Sequence, residues 1–183
     1  METFTPASIP DVVLIAPRVF EDGRGFFMET FQERRFAAAG IRGPFVQDNH
    51  SRSARGTVRG LHYQIRQPQG KLLRVIAGEI WDVAVDLRRS SQTFGRWTAN
   101  VLSSANRLEL WVPVGFAHGF LVTSPHAEIV YKTTDFYAPD AERSLLWNDP
   151  QLGIPWPLTP GDEPILSPRD AVGRPLREAE VFT

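Results

Sequence analysis

The stretch GKLLRVIAGEIWDVAVDLR, residues 70–88, decides the fold class of this chain. Its second half has a period of two, with bulky apolar side chains at Trp81, Val83, Val85 and Leu87 and smaller or charged ones between them. A β-strand sends alternate side chains to opposite faces, so this period is typical of a strand with one buried face. We therefore predict a half-buried β-strand at this point of the chain.

Further strands are predicted on both sides of this one. Short apolar segments separated by turn-like residues follow it, as LELWVPV (108–114), HGFLVTS (118–124) and HAEIVYKTTDFY (126–137). Before it, VVLIAPRVF (12–20) reads as a strand that is interrupted at Pro17, which lacks the N–H that a strand donates. Many short strands at such spacing indicate an all-β sandwich or small barrel.

Helical signals are few. ETFQERRFAAAGI (29–41) has a helical pattern with Gly40 as its stop, and in LSPRDAV (166–172) Ser167 is placed to cap a short helix. Neither a repeat nor a low-complexity linker interrupts the sequence. We therefore expect one domain, residues 1–183.

Composition excludes several classes of function. The 183 residues are 42% hydrophobic and 22% charged, with a net charge of −1, so nothing indicates nucleic-acid binding or adhesion to an acidic membrane. The absence of cysteine excludes disulfides and thiolate metal sites. The sequence shows neither a signal-peptide pattern nor an apolar run of about 20 residues, so we expect a cytoplasmic enzyme or binding protein.

The segment QDNHSRSARGTVRGLHYQ, residues 47–64, is unusually rich in arginine and histidine for a strand region. Clustered guanidinium groups suit a bound anion such as a phosphate. Arg59 and His62 have opposite strand parity, so both reach one pocket only if the strand is irregular between them. Gly60 is the position where we expect such a bulge; otherwise Arg59 would serve a different cavity.

Small β-barrels often bind a metal through two histidines at H-x-H spacing. Here Tyr63 and Gln64 follow His62, so the second ligand of such a pair is missing. A triad of His62, His118 and Glu79 remains an alternative. The sequence favours chemistry without a metal.

Long, ordered motifs show a resemblance to a known family. FEDGRGFFMETF (20–31), the arginine-rich segment 47–64, the stretch 69–97, LWVPVGFAHGFLV (110–122) and the segment 128–157 closely resemble the dTDP-4-dehydrorhamnose 3,5-epimerases. The similarity covers nearly the whole chain. It implies an all-β, cupin-type jelly roll with a few short helices, a homodimer, and a reaction without metal or other cofactor.

The resemblance also implies an activity, the inversion of C3 and C5 of dTDP-4-dehydro-6-deoxy-D-glucose to give dTDP-4-dehydro-L-rhamnose. On the family's motifs, His62 falls on the general base, Tyr131 on the general acid, Lys71 on the lysine near the substrate ketone, and Asp170 on the acidic partner of the histidine. The chemistry suits these residue types, because a ketone at C4 makes the C–H bonds at C3 and C5 acidic through an enolate. A base, an acid on the opposite face and a cation near the oxyanion then suffice.

Other positions of the family's motifs contact the substrate. They fall on Arg24, Glu29, Gln47, Asp48, Asn49, Arg59, His118 and Glu142. The family commonly has lysine where this chain has Arg169, which keeps the charge but changes the donor geometry. Tyr137 shares strand parity with Tyr131 and is interpreted as a stacking residue. The resemblance implies that the DGRGFF segment contributes to the nucleotide site of the partner subunit.

Other interpretations remain open at this point. His62 and Tyr131 also fit a strand core, Lys71 fits a solvated strand entry, and Asp170 lies three residues after Ser167, a helix-capping spacing. The motifs allow an epimerase that inverts one centre only. A non-catalytic jelly roll that binds a nucleotide sugar and a metal-dependent cupin enzyme are the two alternatives from other classes.

Overall fold

The computed structural model describes residues 2–159 and 161–183. Within these ranges the chain forms one α-helix, α1 (Glu33–Ala38), and thirteen strands. In chain order the strands are β1 (Thr3–Pro6), β2 (Val13–Ala16), β3 (Val19–Asp22), β4 (Gly25–Met28), β5 (Gln47–Ala54), β6 (Val58–Gln64), β7 (Lys71–Ala77), β8 (Glu79–Asp86), β9 (Trp97–Ser103), β10 (Glu109–Val112), β11 (Phe116–Val122), β12 (His126–Thr133) and β13 (Glu142–Ser144). Short 3-10 helices span Pro139–Ala141, Asp170–Val172 and Leu176–Glu178. None of the described helices has the length and apolar character needed to span a membrane.

Two antiparallel sheets face each other. One has six strands in the order β1-β2-β10-β7-β12-β5, and the other has five in the order β13-β6-β11-β8-β9. Strands β3 and β4 form a separate hairpin. Leu73 and Ile129 from the first sheet pack with Ile80 and Phe120 from the second in one buried core. The all-β jelly roll that the sequence predicts is confirmed.

Strand β8 is buried on both faces, so the prediction of a half-buried strand is wrong. Ala84 lies in the core between the sheets, whereas Val83 and Val85 pack on the outside of the five-stranded sheet against Leu152 and other residues of the C-terminal segment. That segment covers the face that would otherwise meet solvent. The polar face of the strand therefore points inward, and Asp82 on it is fully buried.

Helix α1 is shorter than the sequence pattern predicts. It begins after Gln32, whose side-chain oxygen accepts the Arg35 N–H at 2.8 Å, an N-terminal cap. Its one buried side chain, Phe36, packs with Leu72 and Trp111 on the outer face of the six-stranded sheet. Gly40 follows the helix at φ +86°, as expected for a C-terminal stop.

The strand that carries the arginine and histidine is irregular where the sequence predicts it. The register between β6 and β11 shifts next to Gly60, which has φ +121°. A Cβ atom at this glycine would lie 2.6 Å from the Cα of Gly119, so the two backbones approach too closely for a side chain. The irregularity turns Arg59 and His62 into the same cavity, which confirms the predicted bulge.

We expect Gly60→Ala to lower the free energy of unfolding by about 2 kcal/mol or more, because the new Cβ atom meets Gly119 and the backbone conformation is unfavourable for alanine. Urea unfolding followed by circular dichroism measures the change. Gly23→Ala is the matched control, since a Cβ atom there would have no other atom within 4 Å and the φ of Gly23 is outside the left-handed region. Equal stability of the two variants would contradict the constraint.

Candidate active site

A cavity of about 130 Å³ lies between the two sheets. It brings together five of the predicted site residues: Arg59, His62, Lys71, His118 and Tyr131. Ser51, Gly119 and apolar side chains from both sheets form the rest of its lining. These five residues come from four strands, so the cavity exists only because the sheets face each other.

His62 and Asp170 form a pair despite their separation in the sequence. The His62 Nε2 atom lies 2.5 Å from Asp170 Oδ1, and the Asp170 side chain is only 4% exposed. Burial alone would raise the pKa of the Asp170 carboxyl, but hydrogen bonds and charge from His62, together with Ser167 and the Gly60 N–H, hold that pKa below its ordinary value. An ionised carboxylate accepts the proton carried on Nε2, which leaves Nδ1 of His62 as the basic nitrogen.

Ser167 caps the same turn. Its hydroxyl oxygen accepts the Asp170 N–H at 3.1 Å. The two interpretations of Asp170 are therefore compatible, because its backbone is capped by Ser167 while its carboxylate binds His62.

Tyr131 approaches the cavity from the opposite sheet. It lies on β12 of the six-stranded sheet, whereas His62 lies on β6 of the five-stranded sheet. Burial raises the pKa of the Tyr131 phenol, and the positive charge of Arg59 acts in the other direction. The phenol is therefore protonated at neutral pH, as a proton donor must be.

Lys71 lies at the start of β7, next to β12 in the same sheet as Tyr131. Its Nζ donates to the backbone carbonyl of His62 at 3.4 Å. Burial lowers the pKa of the Lys71 ammonium to about 8, and the negative charge of Asp82 opposes this decrease. The side chain is thus a cavity cation and not a solvated charge at a strand entry.

An outer cleft of about 300 Å³ shares His62, Lys71 and Tyr131 with the inner cavity. The cleft adds four more predicted site residues at its wall: Gln47, Asn49, Tyr137 and Glu142. The Gln47 amide connects strand β5 with the loop after β12. It donates to Asn49 Oδ1 and accepts the Tyr137 N–H, each at 3.0 Å. Half of the Tyr137 side chain is exposed, in the loop after β12. Cavity and cleft together offer an elongated site of mixed polarity.

The predicted residues Arg24, Glu29 and Asp48 line neither the cavity nor the outer cleft. The Arg24 side chain is 91% exposed at the tip of the β3–β4 hairpin, and Glu29 pairs with Arg35 of α1. Asp48 lies on the outer face of β5, where it pairs with Lys132, because strand parity separates it from its two neighbours. The substrate-binding roles of these residues stay predictions.

Arg169 forms an ion pair with Glu142 beside the cleft. The second carboxylate oxygen of Glu142 is buried and has no hydrogen-bond partner among the described residues. Arg169 is itself half-exposed. It therefore reaches the cleft through Glu142, and its contact with a ligand stays a prediction.

The alternative metal triad is not assembled. His118 and His62 each bind an aspartate, and Glu79 accepts the Thr123 hydroxyl at 2.8 Å. Among the residues that the structure describes, no group of three or more histidine, aspartate or glutamate side chains is arranged to hold a metal ion.

Sequence reasoning missed Asp82. Its carboxylate Oδ2 lies 2.8 Å from His118 Nε2, and the residue is fully buried. The alternation in β8 predicts that Asp82 and Trp81 lie on different faces of the strand. It does not predict which of the two faces is the inner one. The available signal was a carboxylate in the middle of the strand, flanked by apolar residues from Ile80 to Val85.

Known proteins with similar sequences share one family. A profile of the dTDP-4-dehydrorhamnose 3,5-epimerase family matches residues 6–178. The dTDP-4-dehydrorhamnose 3,5-epimerase of Pseudomonas aeruginosa is 58% identical over 179 residues, which are 97% of this chain and 98% of that protein.

Solved structures are similar as well. The crystal structure of dTDP-6-deoxy-D-glucose-3,5-epimerase from Legionella pneumophila, in complex with dTDP-4-keto-L-rhamnose, has a TM-score of 0.95 at 48% identity and covers 98% of this chain and 95% of its own. A 3′-monoepimerase from Streptomyces bikiniensis, in complex with dTDP-quinovose, has a TM-score of 0.88 at 35% identity, with 94% and 87% covered.

We expect the Tyr131 phenol to titrate only above its ordinary pKa of about 10, because burial disfavours the phenolate. The chain has three tyrosines, so labelling with [ζ-¹³C]tyrosine gives a simple NMR titration in which Tyr131→Phe assigns the resonance. Arg59→Gln should raise this pKa further, since it removes the nearby positive charge.

Arg52→Gln is the control for that titration, because Arg52 is mostly exposed on the outer face of β5. It should leave the Tyr131 resonance unchanged. Titration of Tyr131 below pH 10, or an equal effect of both arginine substitutions, would contradict the described environment of the phenol.

Proposed function

This chain belongs to the dTDP-4-dehydrorhamnose 3,5-epimerase family, and we propose that it inverts C3 and C5 of dTDP-4-dehydro-6-deoxy-D-glucose to give dTDP-4-dehydro-L-rhamnose. The observation that carries this proposal is the cavity in which His62 and Tyr131 belong to opposite sheets, with Lys71 beside them. Inversion of a carbon requires a proton to leave one face and another to arrive on the other. Facing sheets supply that arrangement.

His62 is the proposed base. Its Nδ1 atom makes no hydrogen bond to the described residues, and Asp170 accepts the proton on Nε2. When Nδ1 takes the proton from C3 or C5, the carboxylate stabilises the imidazolium that forms. A positioned base of this kind typically contributes about 10²–10⁴ in rate.

Lys71 is the proposed stabiliser of the enolate. Loss of the C–H proton moves the electron pair toward the C4 oxygen, where a negative charge develops. An ammonium held in a cavity of low dielectric stabilises this charge far more than it would in water. Burial keeps Lys71 in such surroundings, and its pKa of about 8 leaves it largely protonated at neutral pH.

Tyr131 is the proposed acid. Its phenol donates a proton to the carbon from the opposite face, so the centre inverts. His62 then carries one proton more and Tyr131 one fewer than at the start, and exchange with solvent resets both groups. The same steps at the second carbon complete the reaction.

Arg59 is proposed to bind the diphosphate. Its Nε donates to Ser53 Oγ at 2.8 Å, which fixes the plane of the guanidinium group. The remaining N–H groups are left for the phosphate oxygens, which guanidinium groups bind in a bidentate manner.

No cofactor is proposed, because the ketone of the substrate itself accepts the electron pair. Activity should therefore persist in EDTA, and loss of activity that a divalent metal restores would contradict this part of the proposal. We also propose the cytoplasm as the compartment, since a charged nucleotide sugar does not cross a bilayer unaided.

An epimerase of one centre is the second candidate, since the chain is also similar to a 3′-monoepimerase. A jelly roll that only binds a nucleotide sugar is disfavoured. Binding alone requires neither a histidine–carboxylate pair nor a buried phenol on the facing sheet.

We also propose a homodimer in which the β3–β4 hairpin reaches the cleft of the partner subunit. The hairpin belongs to neither large sheet. Its Phe20, Phe26 and Phe27 side chains are 47%, 56% and 70% exposed, an apolar surface of the kind that protein contacts cover. Arg24 at its tip would then meet the nucleotide of the neighbouring site. The apolar segment DVVLIAPRVF, residues 11–20, was the sheet-edge contact expected from the sequence, but its strand β2 is already paired with β1 and β10. The other proposed contact is therefore the edge strand β1 beside it.

The reaction is tested by NMR of the 4-keto sugar nucleotide with enzyme in D₂O. Wild-type protein should place deuterium at C3 and C5 with inversion at both. His62→Asn should stop exchange at both carbons, because no base remains. Tyr131→Phe should let deuterium enter the recovered substrate with little inverted product, because His62 returns it to the original face.

Circular dichroism verifies that both variants are folded. Normal turnover in folded His62→Asn would overturn the base assignment, and normal inversion in Tyr131→Phe would overturn the acid assignment. Inversion at one carbon only in the wild-type protein would select the single-centre epimerase. Absence of any exchange would favour the binding protein.

The shared site predicts complementation between two impaired variants. Arg24→Ala lacks a residue given to the partner, and His62→Asn lacks the base of its own site. A heterodimer of the two variants contains one intact site out of two. Random pairing of equal amounts makes about half of the dimers heterodimers, so the mixture should recover about a quarter of wild-type activity at low substrate concentration. An activity no higher than the mean of the two separate variants, or sedimentation as an active monomer, would contradict the dimer.

A further inference from the structure

Asp82 lies inside the barrel and is fully buried. Its Oδ2 atom accepts from His118 Nε2 at 2.8 Å, while its Oδ1 atom has no hydrogen-bond partner among the described residues. A buried carboxylate is costly unless it is paired, and one hydrogen bond satisfies only half of it. The remaining negative charge therefore needs a cation nearby.

Lys71 is a positive charge that likewise lacks a full set of partners. Its ammonium contacts only a backbone carbonyl, at the long distance of 3.4 Å, and no carboxylate lies within ion-pair distance of it among the described residues. Of the other basic groups of the cavity, His62 binds Asp170, and Arg59 is exposed to solvent, with its Nε donating to a serine. Neither Asp82 nor Lys71 has a permanently charged partner within ion-pair distance among the described residues.

We propose that Asp82 is a positioning residue of this site, which orients His118 through Nε2 and supplies the buried negative charge that balances the Lys71 ammonium. The proposal rests on the epimerase function, because its purpose is to keep the cation in place for the enolate. Asp82 is not among the residues that line the cavity, so we expect it to act through His118 and Lys71.

The electrostatics of Lys71 agree with this role. Burial lowers the pKa of Lys71 to about 8, and the charge of Asp82 is the cause that opposes the decrease. The other titratable side chains that line the cavity are Arg59 and His62 on β6, His118 on β11 and Tyr131 on β12. None of these groups carries a negative charge at neutral pH. Two other carboxylates are near, but Asp170 pairs with His62, and Glu142 of the outer cleft pairs with Arg169. Asp82 is therefore the carboxylate left to stabilise the ammonium.

The pairing also fixes His118. With Asp82 accepting at Nε2, the proton of the ring is on that nitrogen, and Nδ1 is the atom left for a ligand. His118 and His62 are Cα partners in the β6–β11 ladder. The cavity therefore contains two adjacent imidazoles, each held through Nε2 by its own buried carboxylate, Asp82 or Asp170.

The sequence makes a direct test possible, because Lys71 and Lys132 are its only lysines. Protein labelled with [ε-¹³C]lysine should give two resonances, of which Lys71 titrates near pH 8. In Asp82→Asn the Lys71 resonance should titrate about one pH unit lower or more, because the opposite charge is lost. Lys132 pairs with Asp48 on the outer face, and its resonance is the internal control that the substitution should leave unchanged.

The alkaline limb of kcat/KM should move in the same direction and by a similar amount in Asp82→Asn. A residue that merely supports the fold would lower activity without moving this limb. Asp82→Ser removes the same charge in a smaller side chain, and it replaces Asp82→Asn if the latter does not fold. In wild-type protein, the His118 ring resonances should also shift over the pH range in which Lys71 titrates.

An unchanged Lys71 titration in a folded Asp82 variant would overturn the proposal. So would His118 resonances that stay constant while Lys71 titrates in the wild-type protein. The NMR readout needs no substrate, so it separates the two hypotheses. A shifted Lys71 in a protein that does not epimerise would refute the proposed function alone, and an active enzyme with an unshifted Lys71 would refute the role of Asp82 alone.

Discussion

The close approach of β6 and β11 at Gly60 and Gly119 is the constraint on which the rest of the site depends. Two glycines allow the backbones to come nearer than side chains permit, and the register shift beside them reverses the parity of β6. Arg59 and His62 then face one cavity, and His62 becomes the neighbour of His118. A regular strand would send either the anion-binding group or the base to the wrong face.

The second constraint is the cost of placing charges between two sheets. The structure meets it by pairing, since each cavity histidine binds a buried aspartate, and Arg59 binds a serine. Apolar residues from both sheets fill the remainder of the interior, and the C-terminal segment covers the outside of β8. The polar site is thus embedded in a well-buried framework, which holds its groups in fixed geometry.

Two facing sheets also determine the stereochemistry that the site can achieve. The candidate base extends from one sheet and the candidate acid from the other, so a flat sugar ring between them meets one group on each face. The cation on β7 lies on the same sheet as the acid. With a base on one sheet and an acid on the other, protons can be exchanged on both faces of a carbon without a change in the conformation of the protein.

The sequence by itself determined the fold class, the irregularity at Gly60 and the missing H-x-H pair, because these follow from local period and spacing. Its motifs also identified His62, Lys71 and Tyr131, which the structure brings together. Only the tertiary structure decided which face of β8 is the inner one, and hence that Asp82 lies behind the cavity, against His118. It also decided that Asp48 points outward. The motifs implied that Asp170 is the partner of His62, and the structure places the two side chains 2.5 Å apart across 108 residues of sequence. A period of two tells which side chains share a face, but the packing of distant segments decides which face is buried.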